Sequence, residues 1–465
     1  MNLTKDRYRL FTGLFFLAMT IFAIVFAGER FQADGAYYLF HVVDSGNFRI
    51  EHQRYILAVS QALPLLGVKL GLSMHAVILL NSLNNIVFFF LVFLYAVRYL
   101  HDRTAGIAVI LFQVLGVMHI QFIPMYEVWY GSVLLVLVRS HLLHNRYRSI
   151  PDFVLLTAIM VTVLFSHPLL FIPLIFIILL DAIEKRKISW KLLFTYAVIF
   201  SGWYIIKKLF LSEYEAGKLS LLDFGWNKAY RNLFHFGYLW GLVVFFFKYY
   251  TIPVLAFIFM MIVYIVRRAK MKAFLLAAFF FGIILLINIT NENIPEISPY
   301  FERMYMPLIP ISLLPFLYDF FAQFGWKSTA GGILVMLVVT WRIYLFCSVG
   351  MMYSERTAIT ERVIHQAQAM GGSKFELAES DYRGCMSWVD WSYPMETFLR
   401  SACDGKDKTV TVLTSEDLDE GRNRQMMNDR LFFLRRWDPR ADYFINKNYF
   451  VVKDGPYKKL QPECR

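Results

Sequence analysis

Long apolar stretches recur through the first three-quarters of the chain, and the polar gaps between them are basic at nearly every second break. A helix needs roughly 20 apolar residues to cross the hydrocarbon core of a bilayer. The first stretch, Leu10 to Ala27, comes close to that length. Lys5, Arg7 and Arg9 precede it, which by the positive-inside rule places the N-terminus on the cytoplasmic side. A cleaved secretory signal is the competing reading. The apolar region is long for one, and Ala27-Gly28-Glu29-Arg30 is a poor cleavage site, which favours an uncleaved span.

Further stretches run from Ala76 to Tyr95, Ala105 to His119, Val128 to Leu143, Phe153 to Phe165, Leu169 to Ile183 and Leu192 to Ile206. Others follow from Ile252 to Val266, Phe274 to Ile289, Pro307 to Phe321 and Gly331 to Cys347. Together they predict about eleven crossings. Basic clusters at Arg98, His101 and Arg103, at Arg146 and Arg148, at Lys185-Arg186-Lys187, and from Arg267 to Lys272 then share the side of the N-terminus. An odd count leaves the C-terminal segment outside. Phe236 to Phe247 is short for a span and reads as a re-entrant or interfacial helix.

The larger gaps, 29–54, 207–235 and 288–304, fall on the outer face and mix acids, bases, aromatics, Gly and Pro. Past Ser354 the chain turns polar. Helices are expected over Ile359 to Met370 and Met395 to Ala402. Strands are expected over Thr409 to Leu413 and Tyr449 to Val452, the second ending in an Asp454-Gly455-Pro456 turn. The expected fold is a polytopic α-helical membrane protein, residues 1–353, carrying a small soluble α/β domain, residues 354–465.

Composition agrees. Of 465 residues, 58% are hydrophobic and only 18% charged, against about 25% charged in soluble domains. The net charge of +12 sits in short loops beside apolar runs. Such placement suits orientation and contact with anionic lipid, and argues against nucleic acid as a partner. Cys347, Cys385, Cys403 and Cys464 lack metal-site spacing. Cys385 and Cys403 are either a disulfide on an oxidising face or unpaired core thiols.

The first outer loop holds the most chemistry: Asp34, Tyr37, Glu51 and His52. A carboxylate at the membrane boundary can take a proton from an attacking hydroxyl; equally, Asp34 can cap the helix that follows it. Glu127 opens the fourth stretch at the same face. His167, before Pro168, occupies a tight turn as a structural or a catalytic residue. Arg303 offers a planar fork of donors that suits a phosphate, or an ion pair to Glu302. Lys248 and Arg342 are further cations for a phosphate, or interfacial anchors. Asn81, Asn84 and Asn85 share one helix face, placed for interhelical hydrogen bonds.

A cytoplasmic N-terminus, an acid in a large first outer loop, many crossings and an outward C-terminal domain resemble the GT-C superfamily. These are integral-membrane glycosyltransferases that use polyprenyl-phosphate sugars, protein O-mannosyltransferases and lipid A aminoarabinose transferases among them. Arg303-Met304-Tyr305-Met306-Pro307 is similar to the Arg-Tyr-x-x-Pro-like stretch that opens a late span in these enzymes. The resemblance implies an inverting sugar transfer at the outer face of the cytoplasmic (inner) membrane. Asp34 would be the base, beside Glu51 and His52, and Arg303, Lys248 and Arg342 would hold the donor phosphate. Glu127, Tyr37, His167 and Tyr305 would contact substrate. Many members carry a second acid after the first; here Gly35 follows Asp34, so a divalent metal is not called for. The acceptor is a glycan, a lipid or a protein. Two other classes fit the pattern: a transporter or flippase of lipid-linked glycans, and a non-catalytic scaffold of envelope assembly. Transporters place ionisable groups near the midplane, whereas here polar residues gather at the outer ends of the spans.

Overall fold

A computed structural model describes residues 3–186, 189–213, 215–217, 220, 226–227, 230, 232, 234–290, 299–324, 329–378, 389–414, 431–433, 439–441 and 444–461. Lys187, Cys385 and Cys464, and parts of the 207–235 and 288–304 gaps, lie outside the described residues. Any pairing of Cys385 therefore lies outside them too, and Cys403 is a free thiol.

The apolar runs fold as helices, several of them started by a short polar side chain that satisfies an otherwise orphaned backbone N–H. Helix α1 spans Leu3–Val25, α2 Asp34–Ser45, α3 Ile56–Ser60 and α4 Ala62–Lys69. Helix α5, Met74–Leu94, is capped by Ser73, and α6, Arg103–Val114, by Asp102, whose carboxylate accepts from the Ala105 N–H at 2.9 Å. Then come α7 Glu127–Leu143, α8 Ile150–Leu164, α9 Phe171–Lys185 and α10 Trp190–Leu209. Ser149 and Ser189 cap α8 and α10. Helices α11 Phe236–Tyr249, α12 Thr251–Val266, α13 Lys270–Thr290 and α14 Pro299–Tyr305 lead to α15 Leu308–Pro315, which a π-helical turn prolongs over Phe316–Phe321. Helix α16 runs from Thr329 to Ala369.

Among the described residues, five helical stretches are long and apolar enough to cross a membrane: Asp6–Val25, Met74–Tyr99, Trp190–Leu209, Lys270–Thr290 and Gly331–Ala369. The α11–α12 pair adds a sixth if it is one span, but it bends by 99°. This corrects the count of about eleven drawn from hydropathy. The other apolar runs do become helices, but α6, for one, reaches only about 18 Å at 1.5 Å per residue, short of a bilayer core of about 30 Å. Their apolarity has another destination. Every residue from Ala105 to Val114 in α6, and from Glu127 to Leu142 in α7, is buried against protein. A helix apolar on all sides marks the centre of a bundle as readily as a span. Phe236 to Phe247 lies in the bent pair, whose shape is that of a broken span or a re-entrant segment.

The 41 residues of α16 unite the stretch from Gly331 to Cys347 and the helix expected over Ile359 to Met370 in one element. Gly350 permits its approach to α1, since a Cβ there would fall 2.5 Å from the Phe26 ring. Beyond it, β1 Lys374–Leu377 is followed by α17 Tyr393–Ser401 and β2 Thr411–Thr414; an antiparallel pair, β3 Leu431–Phe433 and β4 Pro439–Ala441, precedes β5 Lys458–Leu460. Strand β1 lies between β2 and β5, all parallel, with Phe375 opposite Val412 on one side and Lys458 on the other. No strand forms at Tyr449–Val452. The Val451 N–H donates to the Lys406 carbonyl at 3.1 Å and the Lys453 N–H to Ser373 Oγ at 3.0 Å, isolated bonds that make no ladder. The third strand comes after the Gly455 turn instead, where φ is 138°.

This C-terminal unit sits on the first loop. Met395, Phe398 and Leu399 of α17 share an apolar core with Phe40 and Val43 of α2. Arg400 Nη2 donates to the Gly28 carbonyl at 2.6 Å, and the Asn446 N–H to Asp44 Oδ1 at 3.0 Å. The first loop and the C-terminal unit thus share one end of the helical bundle, whatever membrane surrounds it.

Candidate active site

Asp34 is the first residue of α2, not its cap; the capping position belongs to Ala33, which makes no side-chain cap bond. The carboxylate is therefore free of the helix-capping role. Ala33 is held at φ 48°, a left-handed conformation that costs a non-glycine residue about 1–3 kcal/mol and aims the next side chain. Asp34 Oδ2 accepts from Arg303 Nη1 at 3.0 Å, joining residues 269 positions apart. Asp34 keeps 26% of its side chain exposed and Arg303 12%, so the pair is partly open to solvent. The Arg303 guanidinium also lies 4.8 Å from the Tyr126 ring centre and 5.3 Å from that of Tyr300. Burial raises the Asp34 carboxyl above the ordinary range, against the pull of Arg303.

Arg303 does not pair with Glu302, the alternative its sequence neighbourhood offered. Glu302 is fully buried and accepts from the N–H groups of Met118, His119 and Ile120 at 2.8, 3.1 and 3.1 Å. Burial pushes its carboxyl up to about 7. Glu302 thereby pins α14 to the loop ahead of α7, which fixes where Arg303 points.

A second set of charges lies beside the first. Glu127, the first residue of α7 and buried, accepts from Arg54 Nη1, and Arg54 Nη2 lies 3.7 Å from Glu215. Lys207 Nζ donates to Glu215 Oε1 at 3.0 Å and to the His52 carbonyl at 2.7 Å. His52 and Gln53 are both left-handed, at φ 52° and 53°, which turns the loop inward, and His52 Nδ1 hydrogen-bonds with Ser212 Oγ at 2.8 Å. The Tyr37 hydroxyl donates to Glu51 and receives Arg49 Nη2 at 3.1 Å. His167 is buried and accepts from the Leu169 N–H through Nδ1 at 3.2 Å, a structural cap. Burial lowers both histidines, with Arg54 adding to the effect in each.

The charges act on one another. Asp34 responds to Arg303, Glu127, Arg54 and Asp390, and His167 to Arg54, Arg303, Lys207 and His52. The fold thus gathers Asp34, His52, Glu127, His167 and Arg303 in one electrostatic cluster. Three of the other candidates stand elsewhere. Arg342 is buried, with Nε donating to the Val114 carbonyl at 2.9 Å and Nη2 to that of Val117, so its fork supports the backbone after α6 where a phosphate contact was expected. Tyr305 is buried among Phe245, Phe246 and Tyr250. Lys248 is exposed at the end of α11, 5.4 Å from the ring of Tyr249.

Arg54, Lys207, Glu215 and Asp390 join this charge cluster without having been singled out as candidates in the sequence. Arg54 had a local signal, two positions after His52 in an otherwise polar loop; the others gain meaning only from their partners. Of the three asparagines of α5, Asn84 makes the expected interhelical bonds, its Nδ2 donating to the Tyr130 hydroxyl of α7 at 3.1 Å, while Asn81 and Asn85 hold Arg30 of the loop. Arg30, fully buried, donates to Asn85 Oδ1 at 2.9 Å and to the Gln121 carbonyl at 2.7 Å, and Asn84 Nδ2 donates to the Val59 carbonyl at 2.9 Å.

Chemically, the cluster joins a carboxylate of raised proton affinity to a guanidinium steadied by two aromatic rings. It can accept a proton and bind an oxyanion side by side. Among the described residues, no group of three or more His, Cys, Asp or Glu is arranged to hold a metal ion. No protein-family model, curated protein or solved structure matches the chain.

Proposed function

We propose that the protein is an inverting glycosyltransferase of GT-C type. It moves a sugar from a polyprenyl phosphate to a hydroxyl of a glycan, lipid or protein acceptor at the outer face of the cytoplasmic membrane. One observation carries this reading: the ion pair of Asp34 and Arg303, drawn from the two ends of the helical region and roofed by the C-terminal unit. Without substrate the two groups neutralise each other. A donor phosphate entering from the bilayer competes for the Arg303 fork and releases the Asp34 carboxylate. Asp34 then takes the proton of the acceptor hydroxyl. The acceptor oxygen bonds to the anomeric carbon as the bond from that carbon to the phosphate oxygen breaks, and the lipid phosphate leaves on Arg303. Donors aimed at charge developing on a leaving group are a large source of rate.

The test uses the full chain, purified in detergent and incubated with a panel of polyprenyl-phosphate sugars. Wild type releases polyprenyl phosphate in step with glycosylated acceptor. Asp34→Asn keeps donor binding and loses transfer. Full transfer by that variant, or no turnover of any donor and acceptor by the wild type, overturns the proposal.

A further inference from the structure

The opposite end of the bundle holds a cleft of about 550 Å³ between the start of α1 and the end of α5. We infer that it is a binding site for one anionic phospholipid of the leaflet facing away from Asp34. Arg9, Arg98, His101 and Arg103 line its mouth, and among the described residues no acid lines it. Asp102, next to His101 and Arg103 in sequence, is turned away to Ser140, Tyr318 and the Ala105 N–H, at 2.7, 2.9 and 2.9 Å. Among the described residues none of the three guanidiniums makes an ion pair, in contrast to the charges paired around Asp34 and around Arg139. Arg103 lies 5.8 Å from the Tyr8 ring centre, and the three guanidiniums can serve a ligand of opposite sign.

The interior of the cleft is different. Phe16 of α1 and Phe90, Phe93 and Val97 of α5 line it. Arg9, Thr12 and Phe16 follow helical spacing on one face of α1, and Phe90, Phe93 and Val97 on one face of α5. The cleft therefore grades from guanidinium to aromatic over about two turns, roughly 10 Å. That gradient matches the passage from a phosphate headgroup to the first part of an acyl chain. Both walls belong to helices long enough to cross a bilayer, so the mouth falls at headgroup depth and the interior at acyl depth. The turn that closes α5, Tyr95–Tyr99, is π-helical and carries Arg98, and His101 is left-handed at φ 55°. Widened turns of this kind are common at functional sites. A free inorganic anion would use the mouth and leave the aromatic wall without a partner.

Gly13 supplies the decisive variant. It lines the cleft, and nothing lies within 4 Å of a Cβ built on it. Gly13→Phe therefore fills the cleft from a helical position without touching a charge, and replacing Gly in a helix favours the helix. Full-length wild type, Gly13→Phe and the double variant Arg98→Gln/Arg103→Gln would be placed in nanodiscs of mixed phosphatidylglycerol and phosphatidylcholine. Retained lipid is then counted by native mass spectrometry after mild extraction. Wild type should retain phosphatidylglycerol preferentially, and each variant should lose that preference by about tenfold, with melting temperatures close to wild type. Unchanged preference in Gly13→Phe would show diffuse surface attraction and no built site, overturning the inference. So would retention in the double variant, or displacement of the lipid by inorganic phosphate at matched ionic strength.

Discussion

Two charged networks lie at opposite ends of the bundle, and their difference is more telling than either alone. The one away from the first loop centres on Arg139, fully buried in α7, which meets Glu184 at 2.7 Å, Asp319 at 3.9 Å and Asp181 at 4.0 Å. Lys272 bonds Glu184 and Asp319 at 2.9 and 2.7 Å, and Lys185 bonds Asp181 at 2.9 Å. Three cations face three carboxylates, every one on a helix or its π-helical extension, and together they staple α7, α9, α13 and α15. The network around Asp34 is presented otherwise. Its acids Asp34 and Glu127 stand at helix starts, its loop residues Ala33, His52 and Gln53 are left-handed, and Asp34 keeps a quarter of its surface open. Charge pairing alone does not mark a site. The backbone that presents the charges does, because strain and partial exposure persist where positioning matters more than stability.

Substitutions can break that contrast, and the largest effect is expected at Asp34. Asp34→Asn should lower transfer by about 10²–10⁴-fold, the usual contribution of a general base, with a melting curve like that of wild type. Arg139→Gln should do the reverse. Stranding its partners should cost about 3–5 kcal/mol of stability, seen as a lower melting temperature in detergent, while the folded fraction keeps its specific activity. If Arg139→Gln lost activity at full stability, the division between staple and site would fail.

Smaller effects sharpen the comparison. On the proposed mechanism Asp34 acts in its deprotonated form, and its proton affinity is raised by burial, so activity should fall as pH drops through a midpoint above the ordinary aspartate range. Arg303→Gln removes the opposing charge and should move that acid limb up by about one pH unit, measured on kcat/KM of the residual activity. A limb that stays in place would mean that Asp34 is not the titrating base. The smallest effect belongs to Ala33→Gly. Relief of the left-handed strain less the added freedom of the unfolded chain should leave it about 1 kcal/mol more stable. A stable Ala33→Gly with slowed transfer would show that the rigid backbone at Ala33 positions Asp34.

Much of this was legible in the sequence because it is local. The helices follow the apolar runs and their Ser and Asp caps, β2 falls where alternating Thr and Val residues placed it, and Asp34 stood out in its loop. What was hidden is tertiary. Hydropathy reads α6 and α7 as spans because it counts apolar residues without knowing that protein, not lipid, covers them. Arg342 and Arg303 look alike as basic residues near apolar runs, yet one turns to carbonyls and the other to Asp34. Their partners lie more than 200 positions away, beyond any pattern of spacing.

Helix α16 has a mechanical meaning. At 1.5 Å per residue its unbroken length is about 60 Å, twice the thickness of a bilayer core. Its far half is welded to the roof above Asp34, for Arg356 grips Glu396 through two bonds of 2.8 Å and Ser354 holds Glu29 at 2.8 Å. The roof is thus mounted on a mast whose foot stands among the other spans, and lifting it means tilting the mast. On the proposed mechanism, access to the carboxylate would depend on how stiffly that pole is held.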